Sequence, residues 1–237
     1  MTTTSTVTVD SPDGAVPVFE ATPDGASKGA VLVVQEAFGI TSHIESVCTR
    51  FADDGWTAAA PALFHRQGSP VFSYDDFASV GPVMMQLTAE GIANDIEATL
   101  ARLRAEGFGA ERTGIVGFCM GGTVALAAGA DQPVGAAVTW YGGGVTEGRF
   151  GYDPLVEVAP RLKVPWLGLY GDQDQGIPAD QVEALRAAAA TASVPTEVVR
   201  YPDAGHGFNC DDRDAYHQPS ATDAWAKTLA WFDAHLG

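Results

Sequence analysis

The chain alternates short runs of consecutive apolar residues with longer stretches in which apolar residues recur every three or four positions. The short runs are typical of strands buried on both faces, and the longer stretches are typical of amphipathic helices. Strands are predicted at residues 7–9, 16–19, 30–34, 56–60, 114–117, 134–140, 164–170 and 197–201. Helices are predicted at residues 43–54, 83–106, 123–130, 179–192 and 221–236. This alternation predicts an α/β fold with a mostly parallel sheet and helices on both faces.

The 237 residues are expected to form a single domain, residues 1–237, because the chain shows no internal repeat and no linker. The dipeptide Asp13-Gly14 lies between the first two predicted strands and indicates an opening hairpin. Residues 62–82 have no clear period and contain Gly68, Pro70 and Gly81, so we expect a loop or lid there.

The formal net charge is −17, from 30 acidic and 13 basic residues. A surface of this sign repels nucleic-acid phosphates and anionic membranes, so neither is an expected partner. Cys48, Cys119 and Cys210 have neither zinc-site nor disulfide spacing, and no segment matches a nucleotide-binding motif; no metal or cofactor is expected. The start of the chain lacks signal-peptide features, which together with a free thiol predicts a cytoplasmic protein. Composition leaves the oligomeric state open.

The segment Gly117-Phe118-Cys119-Met120-Gly121 joins a predicted strand to an Ala-rich predicted helix. A Gly-x-Cys-x-Gly turn in this setting has the form of a nucleophile elbow, with cysteine where α/β-hydrolases usually carry serine. The glycines allow a tight turn, and the helix N-terminus favours a thiolate. A buried structural cysteine in a glycine-rich turn is the alternative interpretation.

Two further strand ends carry an acid and a base in the order expected for such an enzyme. The predicted strand at 164–170 is followed by Asp172 and Asp174, and the strand at 197–201 is followed by His206. A nucleophile needs a base within hydrogen-bond reach and a carboxylate that orients the base. Both aspartates are candidates for the carboxylate; the alternative role for Asp172 is to cap the turn.

A fourth candidate segment, Gln35-Glu36-Ala37-Phe38-Gly39, follows the predicted strand at 30–34. In the α/β-hydrolase arrangement this loop supplies one oxyanion N–H, here that of Ala37, and the residue after the nucleophile, Met120, supplies the other. Glu36 is expected beside the sulfur, where it could receive the thiol proton. A solvated acid at a strand end is the alternative interpretation.

With these pieces in order over roughly residues 30–235, the chain resembles the dienelactone hydrolase (carboxymethylenebutenolidase) family. The resemblance is carried by Gln35–Gly39, Pro61–Phe64, Gly117–Gly122, Trp140–Gly142, Gly171-x-x-Asp174 and Ala204–Phe208. It implies an α/β-hydrolase fold and a triad of Cys119, Asp174 and His206, with Glu36 holding and then activating the thiol. It also implies that a small lactone or ester is cleaved through a thioester acyl-enzyme.

The chain departs from the family where dienelactone hydrolases bind the substrate carboxylate with arginines. The position four residues after His206 is Cys210, and the nearest arginine is Arg213. The identity of the lactone or ester therefore stays open. Candidate pocket residues are Arg66, Phe38, Trp140, Tyr141 and Phe208.

Two other functions use the same residues. One is a thioesterase or acyl transferase that works with the same triad. The other is a protein that keeps the fold without hydrolysis, either a ligand receptor or a thiol sensor. A sensor would need a partner for Cys119, for which only Cys210 is a candidate.

Overall fold

The computed structural model describes all 237 residues and contains one eight-stranded sheet. Strands β1 to β8 span Thr3–Ser11, Gly14–Thr22, Ala30–Val34, Thr57–Pro61, Thr113–Phe118, Ala136–Trp140, Trp166–Gly171 and Thr196–Tyr201. Helices α1 to α7 span Ser42–Asp53, Phe77–Met84, Ala89–Ala105, Met120–Asp131, Leu155–Val158, Ala179–Ala189 and Gln218–His235.

The strand order across the sheet is β1-β2-β4-β3-β5-β6-β7-β8. β1 pairs antiparallel with β2 and β2 with β4, whereas every pairing from β4 to β8 is parallel. The first two strands form the expected hairpin. The parallel strands all end at one edge, so the loops that follow β3, β5, β7 and β8 meet there.

Side chains of the central strands alternate between two buried layers. On β3, Leu32 and Val34 belong to the core cluster with α3, α4, α5 and α6, whereas Val31 and Val33 belong to the cluster with α1 and α7. This alternation follows from the two-residue period of a strand, and both faces are apolar because helices cover both. The helices therefore lie on both faces of the sheet, as the sequence predicted.

The region between β4 and α4 differs from the sequence-based prediction. Residues 62–82 were expected to be a loop or lid, but α2 begins at Phe77 within them. The single helix predicted over 83–106 is divided, because α2 ends at Met84 and α3 begins at Ala89. Two side chains explain the boundaries: Asp76 accepts a hydrogen bond from the Ser79 N–H, and Thr88 accepts one from the Gly91 N–H.

No helix is both long enough and apolar enough to cross a membrane.

Candidate active site

The turn between β5 and α4 holds Cys119 in an uncommon backbone conformation, with φ 54° and ψ −113°. The turn is tight enough that a Cβ on Gly117 would overlap the Gly121 carbonyl, and one on Gly121 would overlap the carbonyl of Val34. Glycine is therefore required at both positions. The cysteine is half-buried and stands at the N-terminus of α4, where the helix dipole favours a negative charge.

The loop after β3 lies against the start of α4. Gln35 fixes this loop, because its side-chain oxygen accepts a hydrogen bond from the Leu63 N–H at 3.0 Å and its amide donates to the Glu36 carbonyl at 3.2 Å. The N–H of Ala37 has no acceptor within the protein. Met120 is the first residue of α4, so its N–H has no intrahelical acceptor. The two expected oxyanion donors are therefore free of helical or loop hydrogen bonds.

His206 is hydrogen-bonded to Asp174, with 2.6 Å between Nδ1 and Oδ2. The other oxygen of Asp174 accepts from the N–H groups of Gly176 and Ile177 at 2.8 and 3.2 Å. Burial alone would raise the pKa of Asp174, but the hydrogen bond from His206 and these N–H donors lower it. The carboxylate is therefore charged and fixed in orientation beside the imidazole.

Asp172, the competing acid, lies elsewhere. Its Oδ1 accepts from Arg200 Nε at 2.6 Å, and Arg200 also binds Glu183. The side chain of Asp172 therefore bonds to β8 and does not cap the turn, contrary to the alternative role considered from the sequence. The loops that carry Asp174 and His206 are joined by backbone contacts: Gly171 has no room for a Cβ against Ala204.

Cys119, Asp174 and His206 line one cleft of about 510 Å³ at the edge of the sheet. The other lining residues are Gly143, Arg149, Gln173, Gln175, Gly176, Ile177, Gly205 and Ala215. Burial alone lowers the pKa of His206, but its interactions with Cys119 and with the Asp174 carboxylate outweigh burial and raise that pKa to about 10. The cleft therefore favours an imidazolium beside the sulfur.

Glu36 is buried next to this cleft but is not hydrogen-bonded to Cys119. Its Oε1 accepts from the Tyr141 hydroxyl at 3.5 Å and lies 3.9 Å from Arg213 Nη1, while Oε2 has no hydrogen-bond partner. Tyr141 is fully buried, and the edge of its ring meets His206 with 5.2 Å between the ring centres. Tyr141 thus links the carboxylate of Glu36 to the imidazole.

None of the five expected pocket residues, Tyr141 included, is among those that line the cleft. Arg66 donates two hydrogen bonds to the buried Asp95, at 2.8 and 3.0 Å, and a third to Asp13 at 2.9 Å. Trp140 and Phe208 are fully buried in the core, where their rings pack against each other at a tilt with 5.4 Å between the ring centres. These three side chains therefore pack away from the cleft that contains Cys119.

Phe38 is also buried, in a small cluster with Tyr74, where the guanidinium of Arg213 lies 5.6 Å from its ring centre. Phe38 therefore packs against Arg213, whose guanidinium also lies near Glu36, and Phe38 does not line the cleft. Arg149, which does line the cleft, was missed by sequence reasoning. The only signal was its place in the loop after β6, whose carboxyl end lies beside that of β5.

A strand order with two antiparallel pairings before a parallel sheet, and an elbow after β5, defines an α/β-hydrolase fold. The model of the dienelactone hydrolase family matches residues 16–236. The chain is 38% identical to a provisionally named carboxymethylenebutenolidase of Salmonella typhimurium, over 97% of this chain and 92% of that one. It is 28% identical to the carboxymethylenebutenolidase of Rhodococcus opacus, over 93% of this chain and 87% of that one.

Among solved structures, a provisionally assigned dienelactone hydrolase from Klebsiella pneumoniae superposes with a TM-score of 0.91. It is 36% identical, and the match covers 98% of this chain and 99% of that one. The chain therefore belongs to the dienelactone hydrolase family, as the motifs predicted. Membership makes it a hydrolase of lactone or carboxylic-ester bonds.

The raised pKa of His206 predicts a titration that depends on Cys119. The folded-state pKa of about 10 lies above the ordinary 6.5, so the charge on His206 stabilises the fold fully below about pH 6.5. That contribution is lost as the pH rises towards 10. NMR titration of the histidine rings should find a high midpoint for His206, assigned with His206→Gln, and a lower one in Cys119→Ala. Identical midpoints in both proteins would show that the sulfur does not interact with the imidazole.

Proposed function

We propose that this hydrolase cleaves its small lactone or ester substrate by nucleophilic catalysis, with Cys119 as the nucleophile and a thioester acyl-enzyme as the intermediate. The observation that carries the proposal is the 2.6 Å hydrogen bond from His206 to Asp174 in the cleft that Cys119 also lines. An oriented base next to a nucleophile is what acyl transfer requires. The backbone of Cys119 supports the same conclusion, because uncommon φ values are retained where function requires them.

In the acylation step, the sulfur of Cys119 attacks the carbonyl carbon and the carbonyl electron pair moves onto its oxygen. The N–H groups of Met120 and Ala37 are proposed to hold that oxyanion. The oxyanion then re-forms the carbonyl and breaks the bond to the alcohol oxygen. His206 gives its Nε2 proton to the departing oxygen, which in a lactone stays attached to the acyl group.

In the deacylation step, water is the nucleophile. His206, now neutral, accepts a proton from the water as its oxygen attacks the thioester carbonyl. Collapse of the second tetrahedral intermediate expels the sulfur of Cys119 as a thiolate beside the imidazolium. The products are a carboxylic acid and an alcohol, and the enzyme returns to its starting charge state. Asp174 orients the imidazole and stabilises its charge throughout.

Glu36 is proposed to accept the proton of the Cys119 thiol when substrate occupies the cleft, before the sulfur attacks, and to return it to the sulfur that deacylation expels. Two features support this role: the side chain is 1% exposed, and its Oε2 atom has no hydrogen-bond partner. A buried carboxylate oxygen without a hydrogen-bond donor lowers the stability of the fold, so its presence points to a functional role. In the present arrangement Glu36 faces Tyr141 and Arg213, so contact with the sulfur requires a change of side-chain rotamer.

Replacing Cys119 with alanine is expected to abolish ester hydrolysis, because no other group in the cleft can form the acyl-enzyme. Intact mass after rapid quench with a p-nitrophenyl ester should show one added acyl group on the wild type and none on Cys119→Ala. Iodoacetamide should label Cys119, since Cys48 and Cys210 are buried. Labelling confined to those two, with activity retained in Cys119→Ala, would contradict the assignment. Acyl-thioesters in the same substrate panel test the thioesterase alternative.

The two aspartates provide a matched pair of variants. Asp174→Asn should lower kcat/KM by on the order of 10³-fold or more, because the imidazole loses the carboxylate that orients it. Asp172→Asn removes a partner of Arg200 away from the cleft, so its kcat/KM should stay within about a few-fold of wild type. His206→Ala should match Asp174→Asn. Exchange of the two aspartate results would place the triad acid at Asp172.

The variant Glu36→Gln keeps the shape of the side chain and removes the proton acceptor. Stopped-flow acylation by a chromogenic ester should slow by roughly 10²–10⁴-fold, as for other general-base deletions, while substrate binding is largely preserved. Glu45→Gln is the control, because Glu45 is an exposed acid in the first turn of α1. Equal burst rates in wild type and Glu36→Gln would show that Glu36 is a bystander and that the Cys119–His206 pair suffices.

A further inference from the structure

A second cavity adjoins the cleft that contains Cys119. This apolar groove of about 530 Å³ lies between the end of α2, the start of α3 and residues 149–151. Its lining residues are Gly81, Met84, Met85, Leu87, Thr88, Arg149, Phe150 and Gly151. Arg149 lines both cavities, so the cleft and the groove share a wall.

The groove has the chemistry of a hydrocarbon site. Two methionines, a leucine and a phenylalanine line it, and Arg149 is its only charged residue. Methionine side chains are flexible and polarizable, which suits a surface that must fit chains of different length. Met85 is 87% exposed, and covering its apolar side chain would be favourable because apolar surface would leave water.

The position of Arg149 joins the groove to the reacting centre. Its side chain packs over Gly143 and Gly144, where an added Cβ would meet the guanidinium and the Cγ atom at 3.1 Å. It makes no hydrogen bond or ion pair through its side chain in this structure. The stem of an arginine can cover apolar surface while its head stays in water. The side chain of Arg149 therefore lies at the boundary between the cleft and the groove.

We propose that the groove binds an apolar chain of the substrate while the carbonyl group reacts at Cys119. The substrate class is then a lactone or ester that carries a hydrocarbon chain of several carbons, rather than only a compact polar ring. This inference rests on the proposed function for the position of the carbonyl. The groove volume falls within the range of cavities that enclose small organic ligands.

Gly81 allows the groove to be filled without disturbing the fold. A Cβ at this position meets no atom within 4 Å, and the backbone is not in the left-handed region. Gly81→Phe therefore adds a ring to α2 at the groove wall. Ser79→Phe is the matched control, because Ser79 is exposed on the same helix and does not line the groove. Neither residue belongs to the proposed catalytic machinery.

The first experiment measures kcat/KM for p-nitrophenyl esters from acetate to octanoate and for γ-lactones with increasing alkyl chains. In the wild type and in Ser79→Phe, kcat/KM should rise with chain length in at least one series, by up to about fourfold per buried methylene. In Gly81→Phe that rise should disappear, so that the loss of kcat/KM relative to Ser79→Phe grows with chain length and is smallest for the shortest substrate. No dependence on chain length in the wild type, or the same dependence in Gly81→Phe, would overturn the proposal.

The second experiment separates the groove from the chemistry. N-octylacetamide carries an octyl chain on the alcohol side of the carbonyl and N-methyloctanamide carries its chain on the acyl side; both resist hydrolysis, and N-methylacetamide lacks the chain. Isothermal titration should find that the wild type and Ser79→Phe bind at least one of the two long amides at least about tenfold more tightly than Gly81→Phe does. Equal binding of both long amides by all three proteins would overturn the groove assignment. A protein that binds a long amide but hydrolyses no ester or lactone would instead refute the proposed catalytic function.

Discussion

The close approach of Gly117 and Gly121 is the constraint on which the site depends. Their backbones touch at the β5–α4 turn, so the chain must reverse within the five residues that contain Cys119. The same approach brings the start of α4 against Val34, at the end of β3. These two contacts together fix the sulfur at the sheet edge, the N-terminus of α4 and the loop that carries Glu36 and Ala37.

The relative positions of Asp174 and His206 depend on a second close approach, between Gly171 and Ala204. It holds the loops after β7 and β8 together, so that Asp174 and His206 meet although they are 32 residues apart in the chain. With these loops fixed, the imidazole of His206 is hydrogen-bonded to Asp174 and lines the same cleft as Cys119. The protein has a net charge of −17, but two positively charged side chains, Arg149 and Arg213, lie beside this site.

Elements with a strong local signal could be predicted closely. The apolar runs of β3 and β7, the Asp13-Gly14 hairpin and the glycine-flanked cysteine each carry their own signal within a few residues. The division between α2 and α3 was missed because it depends on Asp76 and Thr88, two helix caps in a stretch without clear period. Side chains of the pocket were predicted least well, since Arg66 finds its partner Asp95 a full 29 residues away.

The sequence by itself determined the class of fold, the family and the order in which cysteine, acid and base follow their strands. These features are local, because turn geometry and strand burial restrict residue types over short windows. Only the tertiary structure decided that Asp172 binds Arg200, that Trp140 and Phe208 belong to the core, and that Arg149 lines the cleft. Each of these depends on the packing of segments distant in the chain, and a spacing pattern does not encode which side of a loop a side chain will face.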